Sequence, residues 1–215
     1  MGLREELWMW KKEKVAEKVA ENLRKRMHEV WIVKEGREVV EKLVELIPEG
    51  SSVAVGGSLS LMDAGVLDLL RSGRYNFLDR YAAKSREEME EIFRKSFSVD
   101  YFLSSVNAIT EDGKLVFLDG NGNRVAAVIF GPRNVILVAS VNKIVKDLEE
   151  ARERLKFISP MNAKRLNLTT PCTVTGWCED CSSPQRICNY FVVVETGARW
   201  PGRFKIILVT EDLGL

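Results

Sequence analysis

"SSVAVGGSLSLMDAGVLDLL", residues 51–70, decides the fold. A short apolar run, Val53-Ala54-Val55, meets a Gly56-Gly57-Ser58 turn and then apolar residues at helical spacing, so the stretch reads strand, glycine turn, helix. Downstream, "VDYFLSSVNAIT" (99–110) reads as a strand. "KLVFL" (114–118) is another, between the turn dipeptides Asp112-Gly113 and Asp119-Gly120. "NVILVAS" (134–140) is a buried strand, followed by "VNKIVKDLEEARERL" (141–155), a charged amphipathic helix. "YFVVVE" (190–195) and "FKIILVT" (204–210) read as two closing strands. Strands alternating with helices predict an α/β fold with a mainly parallel sheet sandwiched by helices.

Upstream, residues 3–30 read as one long helix, with Val15, Val19, Leu23, Met27 and Val30 at three-to-four spacing. A second helix spans about 35–47 and stops at Pro48. Residues 1–48 are therefore expected to be a helical segment of a single domain covering 1–215. Trp8 and Trp10 are expected against the core, with contact to a second subunit of a homodimer as the alternative. His28, the only histidine, is expected at the surface rather than in catalysis.

Composition narrows the function classes. At 215 residues with 46% hydrophobic content, the chain can bury a sizeable core. Its net charge of +1 supplies no global field for nucleic acid. No apolar run approaches the roughly 18 residues of a membrane span, and the start has no signal-peptide core, so a cytoplasmic protein is expected. Charged residues make up 29%, against one glutamine, Gln185, a composition typical of hyperthermophiles.

Three apolar runs end in polar clusters: Gly56-Gly57-Ser58, Asn107 to Thr110, and Asn142-Lys143. Carboxyl ends of neighbouring parallel strands line the ligand crevice of an open sheet, so these clusters are expected to converge. The helix after Ser58 would point its amides at an anion. "DGNGNR" (119–124) adds a glycine turn suited to an anion nest and the Arg124 fork. A small anionic substrate or cofactor is the ligand expected there.

All four cysteines fall within 17 residues, Cys172, Cys178, Cys181 and Cys188, in the loop 171–189. The spacing C-x5-C-x2-C-x6-C has one tight pair with wide, unequal arms. Structural zinc more often uses two separated pairs, whereas a 4Fe–4S cluster tolerates one curling loop. Zinc and disulfides remain the alternatives, the latter because hyperthermophiles keep disulfides inside the cell. Trp177 is placed to shield this site or to join the core.

Four stretches, "GGSLSLMDAG", "NAITEDGKLVFLDGNGNRVAAVIFGP", "VNKIVKDLEEA" and "TPC…GWCEDCSSPQRICN", resemble the lactate-utilisation (LUD) domain family, in its compact branch with four cysteines. The resemblance implies a fold similar to ribose-phosphate isomerases and coenzyme A transferases, which bind anions at strand ends. It also implies a redox component of L-lactate oxidation, working beside iron–sulfur partner subunits. Gly56, Gly57, Ser58, Asn107, Thr110 and Glu111 fall on family motif positions. So do Asp119, Asn123, Arg124, Asn142 and Lys143. A non-redox isomerase or transferase acting on a phosphorylated or coenzyme-A-linked substrate is the alternative, with the cysteines purely structural.

Overall fold

Alternating side chains on the central strands feed two cores. On β7 (Asn134–Ser140), Val135, Leu137 and Ala139 face one hydrophobic cluster, while Ile136 and Val138 face another. Residues of one strand reach opposite faces because the side-chain period is two. The adjoining β10 (Phe204–Val209) divides likewise, with Ile206 and Leu208 on one side and Ile207 and Val209 on the other. A sheet buried on both faces is the expected home of such continuous apolar runs. The computed structural model describes residues 2–215.

The main sheet has six strands in the order β1-β10-β7-β4-β2-β3, all paired in parallel. Its other members are β1 (Glu29–Val33), β2 (Ser52–Val55), β3 (Asn76–Leu78) and β4 (Tyr101–Ser104). A second sheet of four strands runs β8 (Ile144–Val145), β5 (Ala108–Thr110), β6 (Leu115–Asp119) and β9 (Tyr190–Val194). Helices α2 (Gly36–Leu46), α3 (Leu59–Asp63) and α4 (Val66–Arg71) cover one face of the main sheet. Helix α1 (Leu3–Lys25), helix α6 (Asn123–Phe130) and the second sheet cover the other, with helix α5 (Arg86–Lys95) against α6. Helix α7 (Leu148–Arg165) lies on the far side of the second sheet, through Ala151 and Leu155. Among the described residues, no helix is long and apolar enough to cross a membrane.

Several elements differ from the sequence reading. The first helix ends at Lys25, not residue 30, and Met27 takes a positive φ of 62°. The chain then turns into β1, so residues 1–48 are not purely helical. "EVWIV" is apolar at strand spacing, and its pairing with β10 overrides the helical period that runs into it. "VDYFLSSVNAIT" is two strands in different sheets, broken at Ser105-Val106-Asn107. The helix expected from residue 141 starts at Leu148, because Asp147 caps it by accepting from the amides of Glu149 and Glu150 at 3.0 Å each. His28 is buried at 4% exposure, edge-on to Phe204, with neither ring nitrogen hydrogen-bonded. Trp8, Trp10 and Trp177 are exposed rather than packed in the core.

Candidate functional site

The carboxyl ends of four neighbouring strands open on one crevice of about 220 Å³. After β3 comes Arg80, after β2 Gly57 and Ser58, after β4 Ser105 and Asn107, and after β7 Lys143. Parallel pairing brings these together although 63 residues separate Arg80 from Lys143. The opposite wall comes from the turn after β6, with Asp119, Asn123 and Arg124, and from Ser159, Asn162 and Arg165 of α7. The break between β4 and β5 is what turns Ser105 and Asn107 into lining residues.

Gly56 does not line the crevice but underlies it. A Cβ there would stand 2.8 Å from Ser104 Oγ and 2.9 Å from Arg124 Cγ and Cδ, so glycine lets the arginine cross. Ser58 Oγ accepts from the Leu61 amide at 3.3 Å and caps α3. That helix has five residues, too short to sum much of a macrodipole, so the field of the crevice comes from side chains. Thr110, Glu111 and Asn142 stand outside the lining. The Thr110 hydroxyl is engaged with Asp112, Glu111 pairs with Lys18 at 2.9 Å, and Asn142 faces a separate groove beside α7.

Arg124 is already committed. Its Nε donates to Asp119 Oδ2 (3.1 Å), Nη1 to the Ser105 carbonyl (3.0 Å), and Nη2 to Asn107 Oδ1 (3.0 Å) and the Leu118 carbonyl (2.7 Å). Four of its five N–H groups are spent tying β6 to the chain after β4, which leaves one for a ligand. Asp119 also accepts the Gly122 amide at 2.9 Å, so its own carboxylate occupies the nest of the glycine turn. The freer cations are Arg80 and Arg165, which the sequence reading missed. Arg80 is held over the Phe93 ring at 4.6 Å, and its buried Nε has no partner. Burial lowers its pKa. Arg165 Nε donates to Asn162 Oδ1 at 2.9 Å, leaving its terminal nitrogens at the crevice.

Lys143 is buried at 4% exposure. Its Nζ donates to Ser60 Oγ (2.9 Å) and Ser105 Oγ (3.3 Å). Desolvation, then the positive charges of Arg154 and Arg124, pull its pKa down to about 7; Asp63 opposes them, and Arg165 adds a smaller push in the same direction. Its ammonium form is therefore disfavoured relative to that of an exposed lysine. Among the described lining residues, Asp119 is the only carboxylate side chain, against Arg80, Arg124, Arg165 and Lys143. The crevice favours an anion.

Next to it lies a smaller cavity of about 20 Å³, lined by Cys172, Cys178, Cys181 and Cys188 together. The four are free thiols, neither fully buried nor fully exposed. Gly176, at φ +80°, ends the short helix α8 (Cys172–Thr175), and Asp180, at φ 46°, turns the chain between Cys178 and Cys181. Arg186 folds the loop inward, donating to the carbonyls of Cys181 (2.6 Å) and Cys188 (3.2 Å) and to Asp180 Oδ1 (2.8 Å). Burial raises the Cys188 pKa, and the Arg186 charge works against that rise. Among the described residues, no three Cys, His, Asp or Glu side chains stand close enough to form a metal centre as they are. Four cysteines lining one cavity with a cation beside them are the donor chemistry of a thiolate-held group, which the loop would hold only by drawing them closer together. Ser159 and Ile187 line both this cavity and the crevice.

A parallel six-stranded sheet flanked by helices places the protein in the α/β class. The LUD domain family model matches residues 16–209, and the chain belongs to that family. In fold it is similar to a DUF162 family protein from Deinococcus radiodurans, with a TM-score of 0.54 at 11% identity, covering 93% of this chain and 98% of that one. No curated protein matches the sequence.

Proposed function

We propose that the protein is a redox component of the lactate-utilisation type, binding a small carboxylate in the crevice beside an iron–sulfur cluster held by Cys172, Cys178, Cys181 and Cys188. One observation carries this reading: the four-cysteine cavity and the cationic crevice share a wall at Ser159 and Ile187. When bound, the cluster would supply one-electron transfer. The chain's own contribution is positioning and charge. Arg80 and Arg165 offer the freest donors for a carboxylate, and Arg124 fixes Asp119 and Asn107 rather than gripping the ligand. The buried part of the lining, Ser58, Ser105, Asp119, Lys143 and Ser159, is where a charge-assisted contact would be strengthened most. Arg186 sits where it offsets negative charge gathered on the thiolates.

Anaerobic purification or reconstitution with iron and sulfide tests the reading. Brown protein with stoichiometric iron and sulfide, lost in Cys181→Ser, is expected. Colourless protein that binds zinc would remove the redox role and leave a structural centre. For the crevice, Arg80→Ala is expected to weaken binding of lactate by about 1.5–3 kcal/mol, the range for charge-assisted hydrogen bonds. Calorimetric titration of both proteins reads that difference.

A further inference from the structure

We infer that Lys143 is a covalent site: its amine forms an imine with small carbonyl compounds that carry a carboxylate or phosphate, Ser60 and Ser105 holding the nitrogen in place. The inference rests on the anion-crevice half of the function proposed above and extends it to a substrate class, 2-oxo acids or phosphorylated aldehydes.

Three features of the site support it. First, among the described residues no carboxylate lies within ion-pairing distance of Lys143, and its hydrogen-bond partners are the hydroxyls of Ser60 and Ser105. A neutral amine that donates two hydrogens to two serines keeps its lone pair uncommitted. Second, charged groups surround the nitrogen asymmetrically. Arg154 and Arg165 of α7 and Arg124 of α6 disfavour the ammonium form, and only Asp63 of α3 favours it. Lysines become nucleophiles by desolvation and by neighbouring cations, and both operate here. At pH 7 an ordinary exposed lysine is neutral to less than about one part in a thousand, whereas burial and neighbouring cations shift Lys143 towards its neutral form. Third, Arg80 and Arg165 line the same crevice and supply a seat for the anionic end of a carbonyl compound.

The chemistry balances without an added reagent. The neutral Nζ attacks the carbonyl carbon, forming a C–N bond and, after proton transfer, a carbinolamine. Loss of the hydroxyl group as water, with one proton added to it, leaves a protonated imine. The Ser60 and Ser105 hydroxyls are within reach to relay those protons. No group is oxidised or reduced.

Reductive trapping tests the inference. Wild-type protein is incubated at pH 7 with pyruvate or with glyceraldehyde 3-phosphate, in the presence of cyanoborohydride, and the labelled lysine is mapped by peptide mass. A single adduct is expected, enriched at Lys143 over every other lysine by at least about tenfold, given its larger neutral fraction. Lys143→Arg should abolish it, and Ser60→Ala or Ser105→Ala should slow it. The pair of substrates distinguishes a carboxylate from a phosphate preference. Mapping on the wild type stands alone if the Lys143 variant does not fold. Label scattered over exposed lysines overturns the inference. If pyruvate binds by calorimetry yet Lys143 stays unlabelled, the covalent step fails while the crevice reading survives. If pyruvate and glyceraldehyde 3-phosphate neither bind nor label, both fail together.

Discussion

Single residues here show how burial converts ordinary side chains into constrained ones. His28 is enclosed with both ring nitrogens unpartnered, and desolvation, followed by the Arg26 charge, lowers its pKa to about 4. The unfolded chain then binds a proton that the native state refuses between about pH 6.5 and pH 4, so stability falls as pH drops through that window. The loss should reach about 3 kcal/mol by pH 4. His28→Leu should flatten the dependence, as read by urea unfolding at several pH values; an unchanged slope would place the proton elsewhere. Arg124 is the second such case. Its removal leaves the Asp119 carboxylate buried and without its arginine, so Arg124→Ala should cost about 3–5 kcal/mol of stability. A spacing argument saw a fork for a ligand, but the fork's occupancy by Asp119, Ser105, Asn107 and Leu118 depends on tertiary contacts that no local pattern encodes. If Arg124→Ala loses ligand affinity with its melting temperature intact, the clip described here is wrong.

At the scale of elements, legibility followed the apolar pattern. Strands β2, β6, β7, β9 and β10 were evident as β-branched runs bounded by turns. Strand β1 was hidden, because Val30 prolongs the spacing of α1 and only pairing with β10 makes it a strand. The gap after Ser104 was also invisible, since a chain leaving one sheet for another keeps its alternation. The cysteine loop is held less by apolar burial than by Arg186, which binds two carbonyls and one carboxylate. Arg186→Ala should therefore reduce iron retained through desalting several-fold, while the unfolding free energy of the metal-free protein changes by less than about 1 kcal/mol. Equal iron in both proteins would mean the loop closes without it. On α7, Asp147→Ala removes a cap and should cost about 1 kcal/mol, measured by chemical unfolding.

Across the whole molecule, the main sheet gathers residues far apart in sequence along one edge. Glycine and polar strand ends announced the crevice, so Gly57, Ser58, Asn107, Asp119, Asn123, Arg124 and Lys143 were visible from the sequence. Arg80 and Arg165 were not, because one lies in a short turn after β3 and the other in the last turn of a charged helix, where an arginine is ordinarily solvated. Nor does any spacing tell that the cysteine cavity abuts the crevice across Ser159 and Ile187. That adjacency is the basis of the proposed redox role. Its most direct test is electron paramagnetic resonance of anaerobically prepared, reduced protein during titration with lactate or pyruvate. The account predicts an iron–sulfur signal that shifts as the carboxylate binds, with no shift at the same concentration in Arg80→Ala. A protein that binds the carboxylate by calorimetry, yet has no such signal or one that never moves, would contradict it.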